Sequence, residues 1–162
     1  NYGTMHVPME ILAQTAGVKL THIPFTGAGP AVLALLGGQI DAVSSGPATV
    51  LQHVKSGKLR VLGHWGNGKL EALPDVPALK DAGYNAEYAQ WSGLFIPAGV
   101  PEPIAQRLRA AARVAANDAK VREVIGNAGS PILYQDTPDF ERYVQADVRR
   151  MADVVKRIGK VE

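Results

Sequence analysis

Apolar side chains recur at helical spacing from Met5 through Met9 and Leu12 to Ala16, and Gly17 supplies the stop, which predicts a helix over residues 5–16. Val18, Leu20 and His22 then alternate with Lys19 and Thr21 before Ile23, the pattern of a short strand that ends near Phe25. A turn of small residues, Thr26-Gly27-Ala28-Gly29, leads to Pro30, a residue preset for the first helical position. The helix that follows carries Ala31, Leu33, Leu35 and Leu36 with almost no polar residue and runs into Gly37-Gly38, so most of its surface is expected to be covered. Residues 39–45 read as a second strand, a helix opens at Pro47 and closes at Gly57, and 59–63 read as a third strand.

The repeated order of helix, strand, small-residue turn and helix predicts an α/β architecture with a parallel sheet covered by helices. In open sheets of this kind ligands sit beyond the carboxyl ends of the strands, where the turns at 25–30 and 44–47 both fall. Backbone N–H groups at a helix start lack chain partners and carry partial positive charge, and small residues let an anion approach them. Thr26 adds a hydroxyl donor. Thr4, at a candidate N-cap of the first helix, offers a second such place.

A stiff loop, Ala72-Leu73-Pro74-Asp75-Val76-Pro77, and a short helix over 78–82 lead to an apolar run from Tyr88 to Pro97, read as a segment crossing between two lobes. Beyond it the chain is nearly all helical. Pro101 and Pro103 start a helix with Ile104, Leu108, Ala111 and Ala115 inward. Asp118 caps the next, and Thr137-Pro138 opens a long one with a stripe of Phe140, Val144, Val148, Met151, Val155 and Ile158. These helices need a sheet to cover that the 162 residues do not visibly supply. The opening Asn-Tyr-Gly reads as a strand end, which leads us to expect a piece of a longer protein.

Charge and composition narrow the chemistry. Seventeen basic against fifteen acidic side chains, without a basic run, and only 6% aromatic residues argue against a nucleic-acid partner. The absence of cysteine excludes disulfides and thiolate metal sites. His6, His22, His53 and His64 are scattered without ligand spacing, so no metal or other cofactor is expected. Gly63-His64-Trp65-Gly66-Asn67-Gly68-Lys69-Leu70 has P-loop spacing, but Leu70 stands where a hydroxyl would hold Mg²⁺. No G-x-S-x-G elbow surrounds Ser44 or Ser45, and no carboxylate pair stands out, so no enzyme is expected.

Pro24-Phe25-x-Gly27-x-Gly29-Pro30-Ala31, followed by Leu36-Gly37-Gly38-Gln39-Ile40-Asp41, resembles the Bug receptors of tripartite tricarboxylate transporters, which read P-Y-K-G-G-G-P-A and then L-L-G-G-Q-V-D. The likeness continues through Ala72-Leu73-Pro74-Asp75-Val76-Pro77 and Trp91-x-Gly93-Leu94-Phe95-x-Pro97-Ala98-Gly99-x-Pro101. It implies a type II periplasmic-binding-protein-like, two-lobed α/β fold. Residues 1–92 would form most of lobe two, and 93–162 the crossover strand and returning helices of lobe one. It implies a receptor in the periplasm that captures a small dicarboxylate, tricarboxylate or aromatic acid and delivers it to membrane permease subunits. The site residues implied are Gly3, Thr4 and His6, then Phe25, Thr26 and Gly27, and Ser45. Thr26 stands where the family commonly has Lys, and Ser45 where Asp is frequent. The alternative reading is the effector-sensing domain of a transcriptional regulator, whose two-lobed fold is similar.

Overall fold

The computed structural model describes residues 3–130 and 132–159 and contains six helices among them, with the start of the expected opening strand lying outside. They are α1 (His6–Ala16), α2 (Ala28–Leu36), α3 (Pro47–Lys55), α4 (Glu102–Asn117), α5 (Ala119–Asn127) and α6 (Asp139–Ile158). Gly17 ends α1 in the left-handed conformation expected of a helix stop, at φ 66°. Pro47 takes the first turn of α3. The Asp118 carboxylate accepts from the amides of Lys120 and Val121, the predicted cap of α5.

Four local expectations are corrected. The first helical residue after the Gly-rich turn is Ala28, with Gly27 as N-cap, so Pro30 is the third residue of α2; a missing N–H costs nothing anywhere in the first turn. Met5, with no side-chain cap bond, is the N-cap of α1 in place of Thr4. Residues 78–83 form turns held by Ala82 N–H to Ala78 O and Gly83 N–H to Lys80 O, too short a run to pass the cost of helix nucleation. At the start of α6 the N-cap is Pro138, and Asp136, not Thr137, makes the local side-chain bond, accepting from Thr137 N–H at 2.8 Å.

The runs 18–25, 39–45, 59–63 and 88–97 join no strand ladder among the described residues; the bridges there are the isolated pairs His64–Ala78 and Leu70–Leu73. A strand is defined by its neighbour, and these runs find none alongside. Val18, Leu20, Ile23, Leu62, Leu94 and Phe95 are accordingly exposed. The chain shows 11414 Å² of accessible surface, against about 7,800 Å² expected for a compact monomer of this mass. Ile104 and Leu108 on α4, predicted to face inward, are exposed as well and line an open groove of about 560 Å³ with Pro103, Arg107 and Ala111.

Two helix pairs carry much of the burial, with Ala78, Ala86 and His64 buried in the loops beyond α3. Val7 and Ala13 of α1 and Val154 of α6 are buried, and the two helices lie against each other; α2 likewise rests on α3, burying Ala31, Val32, Ala34 and Leu51. The face of α6 that turns inward is set by Phe140 and Tyr143, which meet Trp91 edge-on at 5.5 and 6.1 Å between ring centroids, and by Asp147, which accepts from Trp91 Nε1 at 2.9 Å. Val148 and Val155 are exposed and Val154 is buried, so the inward stripe keeps Phe140 and shifts by one position at 143, 147 and 154.

Asp136 joins α4 to the segment before α6. Arg113 bonds its Oδ2, and Arg109 Nε its Oδ1 at 3.0 Å, while Arg109 Nη2 donates to Thr137 O at 2.9 Å. The Arg113 and Arg109 bonds hold the carboxyl down to about 2, below its ordinary 3.8. A carboxyl depressed by folding stabilises the fold above its unfolded value and loses that contribution as pH falls through the folded one. Acid titration is therefore expected to loosen the α4–α6 connection between about pH 4 and 2. Hydrogen exchange of α4 amides should show this for the native protein and not for Asp136→Asn.

Candidate functional site

The seven predicted site residues all fall at the starts of α1, α2 and α3, and two side-chain contacts bring these starts together. Met5 at the mouth of α1 meets Ser44 before α3, the Ser44 hydroxyl donating to Met5 Sδ at 3.8 Å. His6 on α1 stacks on His22, just before the Gly-rich turn, with ring centroids 4.0 Å apart and planes 20° from parallel. The start of α1 is thus in contact with the run before α2, through His22, and with the segment before α3, through Ser44.

Gly3 O accepts from His6 N–H at 3.0 Å and Val7 N–H at 3.1 Å, closing the first turn of α1. Thr4 is exposed beside it, its hydroxyl released from the capping role expected of it. At α2, Phe25, Thr26 and Gly27 are exposed. Gly27 has φ 144° and ψ 173°, a backbone conformation L side chains rarely adopt, so glycine here is a requirement of the turn. The amides of Ala28 and Gly29 belong to the first turn of α2, where no intrahelical acceptor exists, and Pro30 carries no N–H. Ser45 is half-buried, with Oγ 3.4 Å from Gly46 O, and leaves the N-cap of α3 to Gly46.

The site has little formal charge. Lys19 is the only lysine or arginine among residues 1–54. It follows Val18, whose N–H bonds Ala13 O at the far end of α1, about 16 Å of helix from Met5. The ionisable groups close to the turns are His6, buried at 7% exposure, His22, and Glu10, whose Oε1 lies 3.3 Å from His6 Nε2. Burial pushes His22 below its ordinary value, helped by His6. Alternation placed His22 inside a strand, so its stacking on His6 was not foreseen from the sequence.

The neighbouring loop with P-loop spacing closes on itself. His64 is buried, its Nδ1 accepts from Gly66 N–H at 3.2 Å, and its backbone bonds Pro77 O and Leu79 N–H. Turns follow it where a phosphate-binding helix would be required. Trp65 Nε1 donates to Pro8 O at 2.9 Å and so braces the first turn of α1 from behind. Trp91, in its aromatic cluster, lies among none of the three turns. The groove along α4, and a second of about 390 Å³ between α3 and α5, are lined by none of the seven residues.

The sequence profile described as the tripartite tricarboxylate transporter family receptor matches residues 1–160. The chain belongs to that family. Protein BugT of Bordetella pertussis is a relative of this family member, 31% identical over 157 residues that cover 95% of this chain and 48% of BugT. MatC of Rhodopseudomonas palustris, solved with bound malate, superposes with a TM-score of 0.80 at 28% identity over 94% of this chain and 53% of MatC. The periplasmic binding protein BugD superposes at 0.85 and 27% identity, over 97% of this chain and 54% of BugD. The chain spans about half the length of the relatives it matches, and its fold is accordingly part of a two-lobed α/β periplasmic binding protein. The α/β class predicted from element order stands, although the strand runs lack ladders among the described residues.

Proposed function

We propose that this chain is the part of a periplasmic solute receptor that holds one carboxylate of a small organic acid, and that the complete receptor hands the acid, unchanged, to the membrane permease of a tripartite tricarboxylate-type transporter. The observation that carries the reading is that the start of α1 contacts the segments leading into α2 and α3, through His6–His22 and Met5–Ser44, in a chain of the receptor family. Family membership and the malate in MatC support a carboxylate as the class of ligand.

In this reading Thr4 and Thr26 donate hydroxyl bonds, and Gly27 and the first turn of α2 present amides. Gly3, His6 and Ser45 complete the wall, and Phe25 covers the apolar part of the ligand. Oriented dipoles do the work of a cation, as anions favour helix N-termini. Residues 1–92 act as the second lobe, and 93–162 as the crossover and returning helices of the first, with closure centred near Gly93.

Titration calorimetry of the full-length gene product with malate, citrate, adipate and benzoate tests this. At least one acid should bind, and Thr26→Ala should lower its affinity by about tenfold to a hundredfold, the worth of a hydrogen bond to a charged group at ~1.5–3 kcal/mol. A loss below about threefold would remove Thr26 from the site.

A further inference from the structure

We infer that His22, stacked on His6, is the charge-bearing residue of the site, so that seating a carboxylate draws one proton onto the pair. This rests on the receptor reading above and adds to it a residue and a linkage that the reading does not contain. An anion among the starts of α1, α2 and α3 meets dipoles and hydroxyls, with Lys19 tied to the opposite end of α1. Two imidazoles 4.0 Å apart lie on the chain segments that lead to both turns: His6 two residues past Thr4, and His22 four residues before Thr26.

The titratable side chains bearing on His22 are His6 and Glu10, both on α1. Burial and His6 keep the His22 ring neutral in the free site around pH 7. Glu10 Oε1 lies 3.3 Å from His6 Nε2, so Glu10 engages His6 and leaves His22 for the ligand. A carboxylate arriving beside the stack favours the protonated ring and raises its pKa. Binding is then linked to proton uptake, and the sign is fixed. Affinity is highest below the free-site value, falls by up to about tenfold per pH unit between the free and bound values, and levels off above them.

The experiment is titration of the full-length protein with malate or adipate at pH 7 in PIPES and in imidazole, buffers of different ionisation heat, which yields the number of protons taken up. The expected result is an uptake approaching one, absent in His22→Gln, whose affinity should be nearly independent of pH from 5.5 to 8. If His22→Gln fails to fold, an NMR titration of the native imidazoles serves instead: saturating malate should move the His22 midpoint upward. Binding with no proton uptake overturns this inference and leaves the receptor reading intact. Uptake that persists in folded His22→Gln overturns the assignment to His22. No binding of any acid at any pH overturns the receptor reading and this inference with it.

Discussion

Gly129→Ala is expected to destabilise the protein by about 3 kcal/mol, from two independent causes at one atom. Gly129 follows α5 with φ +80°, where an L side chain costs about 1–2 kcal/mol. A Cβ there would also lie 2.9 Å from Pro47 Cβ and 3.5 Å from Ala72 Cβ, and overpacking of this kind costs about 1–3 kcal/mol. Neither neighbour can swing away, since both atoms are fixed to backbone. Pro47 opens α3 directly after the Ser45 turn, so whatever displacement relieves the overlap reaches the candidate site. Gly126→Ala, three residues earlier, has the opposite expectation. It sits inside α5 with nothing within 4 Å of its would-be Cβ, and alanine there should stabilise by about 0.5–1 kcal/mol. Thermal unfolding of the two variants, read as Tm shifts of opposite sign, checks both.

Trp91→Ala is the second large expectation, a loss of about 3 kcal/mol. The ring lies 5.5 Å from Phe140, 6.1 Å from Tyr143 and 6.3 Å from Phe95, and its Nε1 reaches Asp147 at 2.9 Å. Truncation removes the ring that seats α6 against the 88–97 run and leaves a half-buried carboxylate short of a donor. Trp91→Phe should keep most of the packing and lose about 1 kcal/mol for the missing bond. Denaturant unfolding of both variants separates the two contributions: equal losses would mean that the hydrogen bond, and not the ring, seats the helix. Close by, a Cβ on Gly93 would lie 2.5 Å from Phe140 Cζ, so the crossing run passes this helix at backbone contact.

The helices were legible where their own residues end or cap them. Gly17, Pro47 and Asp118 act locally, and the structure puts them where the sequence pattern says. Other features depend on groups far away in the chain. The inward face of α6 contains Asp147, a charged residue that apolar periodicity counts as outward; its partner, Trp91, is 56 positions distant. The strand runs have the right alternation, but ladder hydrogen bonds come from a neighbouring strand, and alternation cannot supply one. The site is a mixed case. The Gly-rich turn around Gly27 was readable from turn chemistry, whereas the His6–His22 stack arises because α1 folds back along the run after Gly17. Nothing in the spacing of the two histidines announces it.

The most direct test of the central claim is a crystal structure of the full-length receptor grown with malate or the tightest acid found by calorimetry. The account predicts one carboxylate within about 3 Å of the amides at Gly27 to Gly29 and of the Thr26 hydroxyl, with Thr4 in reach from α1. A ligand carboxylate held by lysine or arginine side chains away from the starts of α1 and α2 would contradict it.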